Sequence, residues 1–252
     1  MDGSPKGFDV CVIGAGAAGM MCAAVAGQRG LSVVLVDHAK HLAEKIRISG
    51  GGRCNFTNLH VGPENFLSNN PHFSRSALSA YGPADFFALV RQHVIAFHEK
   101  HKGQLFCDQS SQQIIDLLKS ECDKGRVQWR MPWSVETVRR VADSFELSGP
   151  DGIIRCAGLV IATGGLALPQ VGATDFGLKL ARQFGHAVVE PRPALVPLTF
   201  DATSWERFVG LSGVSLEASI ETGEGRKKQA FLEDMLFTHR GLSGPAILQG
   251  SS

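Results

Sequence analysis

Near the start of the chain, apolar residues fall in two short continuous runs, FDVCVI (Phe8 to Ile13) and LSVVLV (Leu31 to Val36). Runs of this length bounded by glycine and polar residues mark strands buried on both faces. Between them Met20 to Arg29 is Ala-rich and predicts a helix, with Gly30 as its stop. Strand, helix and strand in this order predict a βαβ unit with a right-handed crossover. Residues 59–80 are polar and rich in Asn and Ser, and predict loop with short helices. Asp85 to Lys100 places Phe86, Phe87, Val90, Val94 and Phe97 near one helical face, and predicts one helix. Leu105 to Cys107 predicts a short strand. Ser110 to Cys122 predicts a helix capped by Ser110 or Ser111. Val127 to Trp129, Val135 to Val141 and Ser144 to Ser148 read as strands with turns at Pro132 and Asp143, a β-meander set into an α/β chain. Leu159 to Ala162 returns as a buried strand closed by Thr163-Gly164-Gly165, and Asp175 to Phe184 is a helix stopped by Gly185.

The texture changes at Pro191. Three prolines precede alternating segments such as Val214 to Ile220, so a boundary near residue 190 divides the chain into 1–190 and 191–252. In the second part, Ser243 and Pro245 signal a further helix start.

Composition narrows the possibilities. The net charge of +1 over 252 residues supplies no field for nucleic acid or an anionic membrane, so neither partner is expected. The run Arg226-Lys227-Lys228 reads as a solvated turn. Six cysteines, Cys11, Cys22, Cys54, Cys107, Cys122 and Cys156, form no CxxC pair and no zinc spacing, which fits a reducing, cytoplasmic setting. Val10 to Ala26 could pass for a signal-peptide core, but Gly14, Gly16 and Gly19 interrupt it. No apolar run reaches the ~20 residues of a membrane span. The 29 glycines exceed the usual share and gather where strands turn into helices.

Two of those glycine clusters carry chemistry. Gly14-Ala15-Gly16-Ala17-Ala18-Gly19 stands between a strand and a helix, with Asp37 closing the next strand. In that context Gly14 allows a tight turn, Gly16 lets a pyrophosphate approach the backbone, Gly19 lets helix pack on strand, and Asp37 is placed for ribose hydroxyls. The motif indicates a dinucleotide and leaves NAD and FAD both open. The second cluster is Ser49-Gly50-Gly51-Gly52-Arg53-Cys54-Asn55. Consecutive glycines can form a concave nest of backbone N–H groups, to which Arg53 adds charge and Asn55 a donor and an acceptor; the plainer reading is a surface turn. Cys54 beside Arg53 invites a redox reading, against which stands an ordinary buried cysteine. His98 and His101 fit a solvated helix end, and His239, in FTHRGLSGP, lies near a helix start that could face a substrate or simply be capped. No Ser-His-Asp, paired-carboxylate or metal-ligand set emerges.

VIGAGAAGMMCA, Lys45 shortly before SGGGRCNFTN, and LVIATGG together resemble the HI0933-like (YhiN/BaiN-type) flavoproteins, as does the chain through FTHRGLSGPAIL at 237–248. The resemblance implies an α/β fold: a Rossmann-like FAD-binding domain with a β-meander insertion, followed by the start of a β-rich inserted second domain for substrate. It implies FAD held by Gly14, Gly16, Ala17, Ala18 and Gly19, with Asp37 and His38 at the AMP ribose. Lys45, Ser49, Gly50, Gly51, Gly52, Arg53, Cys54 and Asn55 would lie alongside the cofactor, Val135 would read the adenine through its backbone, and Ala162, Thr163 and Gly164 would cross near it. Phe176 departs from the small residue usual in GATDFG, so that loop is expected to pack differently. In this class a C-terminal segment returns to cover the flavin, and none follows residue 190, so the chain is expected to be incomplete. The expected function is an FAD-dependent oxidoreductase of a small molecule, amine oxidase-like or reducing an unsaturated substrate. The rivals are an NAD-dependent dehydrogenase and a non-catalytic flavin-binding or RNA-associated module.

Overall fold

A computed structural model describes residues 7–66, 68–223 and 228–251. Arg226 and Lys227 lie outside them, while Lys228 pairs with Glu221. The described chain forms two compact units, which meet in sequence at Ala187 and Val188.

The first unit is built on a six-stranded mixed sheet. In chain order its strands are β1 (Phe8–Ile13), β2 (Val33–Val36), β6 (Gln128–Arg130), β7 (Thr137–Val141), β8 (Ser144–Gly149) and β9 (Gly152–Ile161), arranged β6-β2-β1-β9-β8-β7. β1 pairs in parallel with β2 and β9, and β2 with β6. β7, β8 and β9 form the antiparallel meander. The continuous apolar runs follow from burial on both faces. One face packs Val12, Val33 and Leu35 against helix α1 (Ala17–Gln28) and helix α5 (Gln112–Lys124); the other packs Cys11, Ile13, Val34 and Val36 against Trp133, Val138 and Leu147. A smaller sheet joins β3 (Asn55–Asn58), β4 (Phe97–Glu99) and β5 (Gln104–Cys107) in the order β3-β5-β4. Three short helices, α2 (Glu44–Ile48), α3 (Arg75–Ala80) and α4 (Pro83–Gln92), lie between β2 and β4, and helix α6 (Phe176–Gln183) follows β9.

The helix expected over 85–100 ends early. Its C-terminus is a Schellman motif: Ile95 N–H donates to Val90 O (3.3 Å) and Val94 N–H to Arg91 O (2.9 Å). Ile95 and Val90 join the same core, Val94 takes φ +56° while 89% exposed, and Phe97 enters β4 instead of the helix. α1 begins three residues before the expected start, and the triplet of glycines is flanked by α2 and β3, neither of which was expected. Of the three strands expected to form the meander, the one near 127–129 is instead β6, a parallel edge partner of β2, and the meander is completed by β9, whose end holds the buried run expected at 159–162.

In the second unit, β10 (Leu198–Thr199), β11 (Ser215–Thr222), β12 (Gln229–Thr238) and β13 (Gly241–Ser243) form a sheet in the order β10-β13-β12-β11. Asp201 caps the short helix α7 (Ala202–Trp205), accepting from Ser204 N–H at 2.9 Å. Trp205 is buried, stacks on Phe200 at 4.7 Å, and donates through Nε1 to Thr238 O at 3.0 Å. Ser243 does not cap the last helix, α8 (Pro245–Gly250): it ends β13, and Gly244, at φ +86°, holds the cap position because a Cβ there would meet Asp234 O at 2.6 Å.

Two expectations follow. Valine in the left-handed region is strained, and the exposed Val94 side chain offsets little of that cost. Val94→Gly should therefore stabilise the protein by about 0.5–1 kcal/mol in denaturant unfolding. The second concerns Glu121. Burial works to raise its pKa, but donors from Lys124, His93 and Gln28 outweigh burial and hold it at about 2, from an ordinary 4.5. The folded state therefore binds this proton less tightly than the unfolded one. The stabilisation, on the order of 2–3 kcal/mol, is complete above pH about 4.5 and is lost as pH falls to about 2. Unfolding midpoints measured across that window should fall steeply, and Glu121→Gln should flatten the slope.

Candidate functional site

The site lies at the carboxyl ends of β1, β2 and β9, where the turns after three parallel strands meet. Gly14 N–H donates to Val36 O at 2.8 Å, and Ala162 N–H to Ile13 O at 2.8 Å. Gly14 sits at φ +109°, and a Cβ on it would come within 2.7 Å of the Ala162 carbonyl carbon. A Cβ on Gly19 would run into the Gly14 carbonyl oxygen. These two glycines are required by the protein's own packing.

Gly16 is different. It is the N-cap residue of α1 with φ −84° and ψ −173°, a backbone any residue adopts, and no atom stands within 4 Å of a Cβ built on it. Neither strain nor crowding inside the protein asks for glycine there. Ala17 and Ala18 are exposed on the first turn of α1, so the free N–H groups and positive end of this twelve-residue helix are presented outward.

Asp37 organises the turn. Its Oδ2 accepts Ala15 N–H at 2.6 Å and its Oδ1 accepts Ala39 N–H at 2.8 Å. Trp133 N–H donates to its carbonyl at 2.7 Å, which draws the chain that carries Val135 toward the end of β2. Val135 itself is half-buried against the second face of the sheet. His38 is exposed; its Nδ1 lies 3.4 Å from Asp37 Oδ1, and a Cβ on Gly172 would come within 2.8 Å of its Nε2.

The glycine triplet is tied to this turn through α2. Ala43 N–H donates to Ala15 O at 3.0 Å, and Ala15, Ala43 and Cys54 share one core. α2 carries Lys45, exposed, and leads straight into Ser49, whose Oγ donates to Ile46 O at 2.8 Å. Gly50, Gly51 and Gly52 take φ +57°, +65° and +84°. At Gly50 a Cβ would meet Asn55 N at 2.7 Å and Phe106 Cε1 at 2.8 Å; at Gly51 and Gly52 it would meet nothing within 4 Å. Arg53 is exposed, its N–H donating to Gly50 O at 3.3 Å and its carbonyl accepting from Cys107 N–H at 3.0 Å. Cys54 points inward, 4% exposed, and burial pushes its thiol up, although a Ser49 hydrogen bond works the other way. A raised, buried thiol is the opposite of a redox-active thiolate. Asn55 is exposed at the start of β3.

Thr163, after β9, supplies a further clue. Its Oγ1 is buried and, among the described residues, one of two such side-chain atoms with no hydrogen-bond partner. It lies at the first turn of α6, where a Cβ on Gly177 would approach it to 2.8 Å. Gly164 follows at φ +74° with no atom near its Cβ position. An outward helix N-terminus, an acid at the strand end, open glycines and an orphaned hydroxyl fit a dinucleotide with a pyrophosphate. Three residues of this arrangement escape sequence reading: Ala15, whose contribution is a backbone N–H, and Arg47 and Ser111, which reach the glycine loop from positions more than sixty residues apart. His239 lies exposed in the second unit, and His98 pairs with the exposed Asp108 at 2.7 Å.

A family model described as HI0933-like protein Rossmann domain matches residues 8–242. Two relatives named ribosomal RNA dihydrouridine synthase are similar over nearly the whole chain. The one from Escherichia coli K12 is 51% identical over 245 residues, covering 97% of this chain and 60% of its own length. The one from Haemophilus influenzae is 46% identical over 246 residues, covering 96% and 60%. A relative from Clostridium scindens named 3-dehydro-bile acid delta(4,6)-reductase is 27% identical over 248 residues, covering 94% and 58%. The chain spans about three fifths of the length of these relatives.

The crowded and the open glycines separate in stability. Gly19→Ala should cost more than about 2 kcal/mol, because backbone must move to admit the methyl. Gly16→Ser should change stability by less than about 0.5 kcal/mol or increase it, since serine is a good N-cap residue. Urea unfolding of the two variants checks the contrast.

Proposed function

The chain belongs to the HI0933-like family of FAD-binding Rossmann proteins, and from that premise we propose that it is a flavin-dependent reductase. Its substrate is a carbon–carbon double bond conjugated to a carbonyl, and a uracil base of ribosomal RNA is the foremost candidate. The observation that carries the cofactor assignment is Gly16: a glycine that the protein's own backbone and packing do not require, at the N-terminus of the helix beside the β1 turn. A pyrophosphate explains it. FAD, when bound, supplies the hydride chemistry.

The chain's own groups would act by holding and orienting. The first turn of α1 directs N–H groups and a partial positive charge at the phosphates. Each Asp37 oxygen already accepts one backbone N–H and retains a lone pair for a ribose hydroxyl. Val135 would read the adenine through its backbone, with His38 at the ribose edge. Lys45 and the loop Ser49 to Asn55 would lie along the isoalloxazine side. Its open glycines admit close approach there, and Arg53 adds positive charge that favours a reduced, anionic ring. Ala162, Thr163 and Gly164 would close the other side, with the Thr163 hydroxyl gaining the partner it lacks.

The substrate assignment rests on the relatives. Making dihydrouridine from uridine adds two hydrogens across a double bond conjugated to a carbonyl, and a reductase of an unsaturated 3-oxo bile acid performs the same class of reaction. The two relatives named for RNA are the more similar pair. A net charge near zero accommodates such a substrate, because RNA is read largely through splayed, stacked bases as well as through phosphates. The second reading, a small unsaturated ketone, is favoured by the 27% relative.

Purified protein supplied with FAD and then denatured should release FAD, identified by mass. Gly16→Val should stay folded by circular dichroism and retain no flavin. Release of NAD, or normal flavin content in the variant, would overturn the cofactor placement. Ribosomal RNA incubated anaerobically with the reduced protein should gain two hydrogens at a uridine. Reduction of a conjugated ketone with unaltered RNA would favour the second reading instead.

A further inference from the structure

Among the described residues two polar side chains are buried, Ser111 and Glu121. Both stand at α5, and Glu121 is accounted for by its three donors. Ser111 is 4% exposed and occupies the position where a serine ordinarily caps a helix, yet its side chain makes no capping bond. The neighbouring Ser110 Oγ accepts Gln112 N–H at 3.3 Å in its place. The Ser111 hydroxyl donates instead to Arg47 O at 2.8 Å, and its backbone N–H donates to Gly52 O at 2.7 Å. Residues 47 and 52 bracket the stretch Ile48-Ser49-Gly50-Gly51. One buried residue therefore fixes both ends of the glycine loop from the rigid start of a thirteen-residue helix.

The adjoining contacts work in the same direction. Arg47 Nη1 donates to the side chain of Gln112, next to Ser111, at 2.8 Å. α2 has five residues, too few to hold its shape in isolation, and its last carbonyls need donors from elsewhere. Gly50 and Gly51 sit in the left-handed region, where the chain has alternative conformations close in energy. A loop of this kind keeps one geometry only if its flanks are pinned.

We propose that Ser111 is a positioning residue for the flavin: it holds the Ser49 to Gly52 backbone at the register in which the loop's N–H groups meet the isoalloxazine side of the cofactor. This rests on the flavin reading above. Ser111 touches the loop and acts only through it, so its removal should alter the environment of a bound flavin while leaving α5 folded.

The test compares Ser111→Ala, which deletes the hydroxyl bond and keeps the N–H bond, with Ser111→Cys, a weaker donor of similar shape. Glu121→Gln serves as a control that perturbs the other buried polar group of the same helix. Amide hydrogen exchange over residues 48–54 reads the clamp without any cofactor. It should quicken about fivefold in Ser111→Ala, the effect of losing one ordinary hydrogen bond, with Ser111→Cys between and Glu121→Gln unchanged there. FAD titration followed by the visible spectrum reads the consequence. Affinity should fall several-fold, and the flavin absorption band and reduction potential should shift in Ser111→Ala but not in Glu121→Gln. Unaltered exchange in Ser111→Ala would overturn the clamp. Faster exchange with unaltered affinity, spectrum and potential would overturn the link to the flavin and leave Ser111 as a structural tie. If the wild-type protein takes up no FAD, the flavin reading fails and the proposed role fails with it, and loop exchange still decides whether the clamp exists.

Discussion

The first unit depends on one carboxylate. Asp37 stands where β2 ends, and its two oxygens collect the N–H of Ala15, from the turn after β1, and of Ala39, from its own continuation. Its carbonyl takes Trp133 N–H, and its N–H is donated to Arg130 O. Three segments of chain, the turn after β1, the continuation of β2 and the stretch from Arg130 to Trp133, are thus set relative to one residue. Bonds from N–H groups to an ionised acceptor are among the stronger ones, and losing the acceptor would leave two partly buried donors unmatched. The acid that sequence reading assigned to a ribose therefore has a structural role, and that role is compatible with the proposed contact. A carboxylate fixed by backbone donors presents its remaining lone pairs in a constant direction.

The glycines show why chemistry and structure are hard to separate by motif. Gly14 and Gly19 are crowded by the Ala162 and Gly14 carbonyls; Gly50, Gly51 and Gly52 are demanded by left-handed backbone. Gly16 satisfies neither condition. A pattern such as GxGxxG merges these cases, because each removes a side chain. Geometry separates them, and the residue left without an internal reason is the one that points to something outside the chain.

Most of the fold was legible where the signal is local. The βαβ unit, the hairpin of β7 and β8 and the second βα turn follow from apolar runs and glycine stops a few residues apart, whereas the strand that completes the meander, β9 in place of β6, is decided by pairing across the sheet. What escaped reading depends on partners distant in sequence. Phe97 fits the apolar face of a helix begun near Pro83, and only the pairing of β4 with β5 and the burial of Ile95 beneath Val90 decide that the helix stops. The exposed Val94 in a position that favours glycine disguised the stop. In the site, the glycine clusters and Asp37 were legible as types of residue, while the bonds from Ser111 and the Arg47–Gln112 contact were not. No spacing rule links residue 47 to residue 111.

The two buried polar groups of α5 illustrate how such long-range contacts divide the work of one helix. Glu121, near its end, gathers Gln28 from α1 and His93 from beyond α4, and so binds helices to one another. Ser111, at its start, gathers the two ends of a glycine loop. Cys122 belongs to the same arrangement: its thiol, pushed up to about 12 chiefly by burial, donates to Met20 O at 3.2 Å and stays a packing group. Along its buried face α5 holds the layer rigid, and at its first residue it passes that rigidity to the most conformationally free backbone in the unit. A loop of left-handed glycines can serve as a precise binding surface only if its freedom is removed from outside, and the buried start of α5 removes it.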